Sequence, residues 1–471
     1  MNAKSPALAY RPDIDGLRAF AVLAVVGFHA FPATLKGGFI GVDVFFVISG
    51  YLISGILLND LQQGTFSLWN FYSRRIRRIF PALLVVLAAV LIFGWFALFP
   101  DEYLALGMHV FGGAAFSANF LLWREAGYWD VAAKAKPLLH LWSLGIEEQF
   151  YVVFPLLLFL CAKKHFRIAT IVICLCILSF LDNLYCMPDP TVNFYNPLAR
   201  AWELLSGAAL CALMRHPSAN GCYLKLDALT AWIIYKKEQE NDGRSLGLVL
   251  AVLGVILLGC ALLVVRESRP FPGLQALLPV LGTTLLIAAG SSNPVSRHLF
   301  ANRLAVFTGL VSYPFYLWHW ALISYAFIIN GGLDASTRLV RVGLVITSFV
   351  LAVLTYFLVE KPIRFGVWAR QGKVYALIAG MLVMGTLGAV VRHEQGFPAR
   401  SAVKSAVEAL SHTRWPETTP YVGAKACRKR FANHYPNCLL AEDAAHTVAI
   451  LGDSMANAHF PGFPEGSRAR A

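Results

Sequence analysis

Eleven stretches of mostly apolar residues, each about the length needed to cross a bilayer, limit this chain to very few architectures. They lie near Leu17–Thr34, Phe39–Leu58, Phe80–Phe99, Ser143–Ala162, Ile168–Leu181, Leu198–Met214, Leu246–Val265, Leu274–Gly290, Leu304–Ile329, Leu339–Val359 and Val374–Val391. Backbone in lipid must satisfy its own hydrogen bonds, so each stretch is expected to be a helix and the chain an all-α polytopic membrane protein. Composition agrees: 57% of the 471 residues are hydrophobic and 14% charged, against roughly a quarter charged in soluble proteins. The segment Met1 to Asp15 is polar, so the first stretch reads as a retained helix rather than a cleaved signal.

A twelfth stretch, Leu104–Trp123, is weaker, because it contains His109, Ser117, Asn119 and two adjacent glycines. Loop charge decides its reading. With eleven spans and a cytoplasmic N-terminus, twenty lysines and arginines fall on the inner side and eight on the outer, which is the positive-inside pattern. A twelfth full span would spoil that asymmetry, so this stretch is expected to be interfacial or re-entrant on the outer side. The net charge of +13 is then a matter of topology, and without aromatic-rich soluble segments nucleic acid is not an expected partner. The tail after Arg392 falls outside and carries Pro398, Pro416, Pro420 and Pro436, as a linker does. Cys427 and Cys438 lie close enough in that tail for a disulfide in an oxidising compartment.

Charges inside the apolar stretches are the candidate functional groups, since burying them in a membrane is costly unless they are paired or solvated. Arg18 and His29 are eleven positions apart; on a helix that is about three turns and ~16 Å, so both face the same way. Asp43 lies one turn inside the second span, and the short connection from His29 makes a His29–Asp43 pair expected, either as an oriented general base or as a structural pair. Glu147 and Glu148 lie near the outer start of the fourth span, where at least one should turn into the bundle. Arg200 and Glu203 enter the sixth span from the same side, and His319 lies between Trp318 and Trp320 in the ninth. His319 is read as an acceptor-side group or as part of an aromatic interfacial belt. On the inner side, Arg74, Arg75, Arg77 and Arg78 would meet anionic lipid, or the phosphates of a donor.

The order of these motifs resembles the membrane-bound acyltransferase-3 family of bacterial envelope enzymes. The resemblance rests on the Arg18 to His29 spacing and on Gly41-Val42-Asp43-Val44-Phe45-Phe46-Val47-Ile48-Ser49-Gly50. It continues with the Arg74–Pro81 block, Trp142-Ser143-Leu144-Gly145-Ile146-Glu147-Glu148-Gln149-Phe150-Tyr151, Ser312–His319 and Val359–Arg364. It implies a bundle of about ten helices over residues 10–365, followed by a further transmembrane helix at 373–392. It also implies acyl transfer, commonly of acetyl, from cytoplasmic acyl-CoA to a hydroxyl of an envelope polysaccharide or lipid-linked glycan, such as O-antigen or lipopolysaccharide. On that reading His29 is the essential histidine with Arg18, Asp43, Glu147 and Glu148 around it. The four clustered arginines would hold the donor, no metal is needed, and membrane lipids surround the chain in the bacterial inner membrane.

Past an extracytoplasmic linker at 393–445, residues 446–471 resemble the start of an α/β SGNH hydrolase-like domain. Val448-Ala449-Ile450-Leu451-Gly452-Asp453-Ser454 reads as a strand delivering a serine to a turn. The later blocks that supply base and oxyanion hole do not follow, so Ser454 is expected to be inactive in a truncated or frame-disrupted tail. A rival from another class uses the same buried charges as a proton relay in a secondary transporter or flippase of glycan or acyl intermediates.

Overall fold

The computed structural model describes residues 10–126, 133–216, 219–234, 243–267, 270–330, 337–366 and 369–401, together with 421–422 and 440–441. The chain divides into two units, Met1–Phe397 and Pro398–Ala471. In the second, Tyr421–Val422 pairs antiparallel with Leu440–Ala441. The expected strand ending at Ser454, and Cys427 and Cys438, lie outside the described residues.

The first unit is helical. Its helices are α1 (Pro12–Ala30), α2 (Gly41–Gln62), α3 (Leu68–Ala97), α4 (Pro100–Ala114), α5 (Ala118–Glu125), α6 (Leu141–Lys163), α7 (Ile168–Tyr185), α8 (Pro190–Tyr195) and α9 (Pro197–Met214). They continue as α10 (Ala219–Ile234), α11 (Arg244–Val264), α12 (Leu277–Ala289), α13 (Arg303–Leu310), α14 (Ser312–Ile329), α15 (Arg338–Thr355), α16 (Lys361–Phe365) and α17 (Arg370–His393). Among the described residues, seven helices are long and apolar enough to cross a membrane, those containing α2, α3, α6, α7, α11, α15 and α17. The other four expected stretches are helical too, but less simply. Charges at Asp13, Asp15 and Arg18 interrupt α1, and Arg200 and Glu203 interrupt α9. The helix α12 is short, and the ninth stretch breaks at Val311 into α13 and α14.

Local chemistry accounts for the boundaries. Pro12 opens α1, where its missing N–H costs nothing, and Asp13 and Asp15 face the positive end of the helix dipole. The weak Leu104–Trp123 stretch forms no single helix: Phe116 takes a left-handed conformation (φ 53°), closing α4 before α5 begins. The helix α10 lies between the sixth and seventh expected stretches. Its Asp227 carboxylate accepts from the backbone N–H groups of Gly243 at 2.9 Å and Leu246 at 2.7 Å, capping α11.

Helix α2 is central. Of its most apolar window 72% is buried, against 11% for α7, whose Ile177, Leu178 and Leu181 face outward. It packs along α9, and the approach is backbone to backbone. A Cβ at Gly50 would overlap the Leu204 carbonyl, and one at Gly207 would overlap that of Val47. Asp43, Val47 and Gly50 are spaced i, i+4, i+7, so they share the face of α2 that meets α9.

Candidate active site

The last turn of α1 brings His29 against α14. His29 Nδ1 lies 3.0 Å from His319 Nε2, with the two rings nearly parallel. The other nitrogen of His319, Nδ1, is 2.6 Å from the backbone carbonyl of Tyr316. A carbonyl can only accept, so His319 Nδ1 carries the proton and its Nε2 is left as an acceptor. His29 Nδ1 must then donate, which leaves the lone pair on His29 Nε2. Among the described residues no hydrogen bond engages that atom. The arrangement is therefore a base held in one tautomer by a second histidine and a carbonyl.

The ring of Trp320 packs edge-on against His29, 4.5 Å between centroids. Its indole N–H donates to the Lys136 carbonyl at 2.8 Å, and Ser324 donates to that of Lys134 at 2.7 Å. The Lys136 ammonium in turn pairs with Glu125 at 2.9 Å, and Glu125 with His109 at 2.9 Å. The segment preceding α6 is thus fastened to α14 beside His29 by two hydrogen bonds and to α5 by an ion pair.

The expected His29–Asp43 pair does not form. Asp43 lies on the α9 face of α2, where Arg200 reaches it at 3.2 Å while also pairing with Glu203 at 3.1 Å. All three side chains are fully buried, and the Arg200 guanidinium sits 5.5–5.8 Å from the ring centroids of Phe46, Trp142, Phe194 and Phe271. The helix-packing glycines explain the displacement: a face that lets α9 approach cannot also turn toward α1. Asp43, Arg200 and Glu203 form one ion triad, separate from the histidines.

Of the remaining candidates, Arg18, Arg75, Arg78 and Glu147 converge on a cavity of about 90 Å³, also lined by Ser143 and Tyr316 among others. The Arg74–Arg78 block is sorted by helix geometry into two pairs spaced i, i+3. Arg75 and Arg78 face the cavity, whereas Arg74 pairs with Asp60 at 2.7 Å and Arg77 donates to the Ser73 carbonyl at 3.2 Å. Arg75 bridges to Glu148 at 3.3 Å and lies 3.9 Å from the Tyr151 ring centroid. Glu147 accepts from Ser49 and, at 3.3 Å, from Tyr151. Both carboxylates turn inward. Arg18 pairs with Asp15 at 3.2 Å, while Arg78 has no ion-pair or hydrogen-bond partner among the described residues.

Tyr316 joins the two regions. Its side chain lines the cavity, the hydroxyl bonding Ser143 at 2.8 Å, while its carbonyl orients His319. Sequence reasoning did not single out Tyr316, Ser49 or Trp320. The first and third were hidden among the aromatics of α14, and a serine in an apolar span carries no signal of its own.

No group of three or more His, Cys, Asp or Glu side chains among the described residues could hold a metal ion. What the described residues do bring together is a paired imidazole and a basic cavity with tyrosines in its wall. Comparison with known proteins places the chain in a family. The peptidoglycan O-acetyltransferase OatA of Listeria monocytogenes is 33% identical over 371 residues, 75% of this chain and 56% of its own length. YrhL of Bacillus subtilis, provisionally named for the same activity, is 33% identical over 385 residues, 75% of this chain and 55% of its own. An uncharacterised protein of Haemophilus influenzae is 34% identical over 264 residues, 54% of this chain and 99% of its own. The chain spans little more than half the length of the first two. No solved structure matches it. The family description "Acyltransferase domain" fits residues 11–357, the stretch that holds both histidines, the ion triad and the arginine-lined cavity, and by that match the chain belongs to the acyltransferase-3 family.

Proposed function

We propose that this chain is a membrane O-acyltransferase, moving an acyl group, acetyl in the first instance, from cytoplasmic acyl-CoA to a hydroxyl of an envelope carbohydrate. The chain would sit in the bacterial inner membrane with its N-terminus in the cytoplasm. The names of the relatives make peptidoglycan the first acceptor to examine; O-antigen or another lipopolysaccharide sugar is the alternative acceptor of the same class. The observation that carries the reading is the His29–His319 pair, locked by the Tyr316 carbonyl and joined through Tyr316 to the arginine-lined cavity.

The division of labour follows from that geometry. Arg78, Arg75 and Arg18 would take the phosphates of the donor, since guanidinium groups match phosphate oxygens in pairs. His29 Nε2 would accept the proton of the sugar hydroxyl as its oxygen attacks the thioester carbon. The new C–O bond forms, the C–S bond breaks, and the proton passes from His29 to the departing thiolate. His319 would keep His29 in the productive tautomer throughout. Asp43, Arg200 and Glu203 would hold α2 and α9 together rather than meet substrate. The test is the acetyl-ester content of envelope glycans in cells carrying the wild-type chain or His29→Ala. Loss of the ester in the variant is expected, and an unchanged content would end the proposal.

A further inference from the structure

His140 sits at the N-terminal cap of α6, and its side chain is otherwise unexplained. The residue is 2% exposed, and neither ring nitrogen makes a hydrogen bond of full geometry among the described residues, a contact with the Leu317 main chain being the weak exception. A buried imidazole without well-aligned partners is costly and calls for a reason. Its main chain is pinned by the cavity wall: the hydroxyls of Tyr316 and Ser143 approach the His140 carbonyl at 2.9 and 3.2 Å. Its ring lies beside both regions of the site, 5.3 Å from the Tyr316 ring and 6.0 Å from the His319 ring. An acyl group carried from the cavity wall at Tyr316 to the His29–His319 pair would have to pass beside this ring.

We infer that His140 is a further catalytic residue, whose ring N–H hydrogen-bonds the acyl carbonyl oxygen during transfer. The inference rests on the acyl-transfer reading above. Either tautomer of a neutral imidazole offers one N–H. As the hydroxyl oxygen adds to the thioester carbon, the carbonyl π pair moves onto oxygen. The charge it creates is met by a donor waiting in a dry site, where such a bond is strongest. When the C–S bond breaks, the pair returns and the hydrogen bond relaxes, so His140 neither gains nor loses a proton. The N-terminus of α6, with its partial positive charge, adds to the same field. A substrate oxygen would also give the ring a well-aligned partner, which the weak Leu317 contact does not.

The test uses the purified full chain with acetyl-CoA as donor and chitopentaose as acceptor, reading acetyl ester and free thiol together. His140→Ala is expected to lower kcat about 100- to 1,000-fold, with KM for acetyl-CoA changed less than about twofold. His140→Asn keeps an N–H donor near the same place and is expected to recover at least tenfold of that loss. Both variants are compared as monodisperse protein with a cooperative thermal transition. An Ala variant within threefold of wild type overturns the inference, and so does an Asn variant that folds but is no better than Ala. A merely structural histidine would lower the amount of folded protein without this donor-dependent split. A wild-type chain that forms no ester at all overturns the acyl-transfer reading, and this inference with it.

Discussion

The guanidinium of Arg75 and the carboxylate of Glu148 meet at 3.3 Å, although sequence topology assigns their motifs to opposite sides of the membrane. Each lies seven residues inside its helix, about 10 Å from the end, so two inward-pointing side chains span the gap. The pair is mostly buried, with side-chain exposures of 12% and 13%. Removing one partner of such a pair strands the other, at about 3–5 kcal/mol, while replacing both with apolar groups costs far less. Arg75→Met and Glu148→Leu are each expected to lower the thermal transition of the detergent-solubilised protein sharply. The double variant should lie well above the sum of the two. Strictly additive losses would mean that the ion pair is not formed.

The tautomer chain from the Tyr316 carbonyl through His319 to His29 makes a kinetic prediction. His319→Ala leaves His29 free to place its proton on either nitrogen and to rotate. A loss of about 100- to 10,000-fold in kcat, the usual worth of a positioned general base, is expected with little change in donor KM. His29→Ala should lose at least as much, and the double variant no more than His29→Ala alone. Losses that multiply in the double variant would show that the two rings act independently.

Asp43 separates structural from chemical roles. Because it pairs with Arg200 and not with His29, Asp43→Asn should weaken the fold while sparing chemistry. The expected result is a lower thermal transition and, per folded molecule, a kcat within about tenfold of wild type, since general-base effects are larger. Arg200→Leu should be more severe, because it leaves Asp43 and Glu203 buried together without a counter-charge. A pH–rate profile displaced by Asp43→Asn, at unchanged stability, would restore the carboxylate to the histidine's side.

Much of this was legible in the sequence. Helices occur in all eleven apolar stretches, and the break at Ala115–Ser117 was foreshadowed by the polar residues and glycines of Leu104–Trp123. His29, Arg18, Arg75 and Glu147 were legible because a charge in an apolar run stands out against its neighbours. Partners were harder. Whether Asp43 faces α1 or α9 is decided by Gly50 and Gly207, and the meaning of a glycine depends on a helix distant in sequence. Likewise, four arginines in five positions look like one cluster until the helix turns Arg74 and Arg77 away from Arg75 and Arg78. Hydroxyls and backbone carbonyls, such as those of Ser49 and Tyr316, enter the site only through tertiary contact.

The close approach of α2 and α9 can be tested without touching any charge. Gly50 and Gly207 each face a carbonyl of the opposite helix, so a methyl group at either forces the helices apart. Overpacking costs about 1–3 kcal/mol where side chains can yield, and backbone yields less readily. Gly50→Ala and Gly207→Ala are therefore expected to lower the thermal transition by more than a typical core substitution. They should also weaken the Asp43–Arg200 contact carried on the same faces. Gly343 in α15 is the control: it lies in a helix of similar length, and a Cβ there meets nothing within 4 Å. Gly343→Ala should leave stability unchanged or raise it by up to about 1 kcal/mol through helix propensity. If Gly50→Ala were as stable as Gly343→Ala, the two backbones could not be in contact. The buried ion triad would then need another explanation for how Asp43 reaches Arg200.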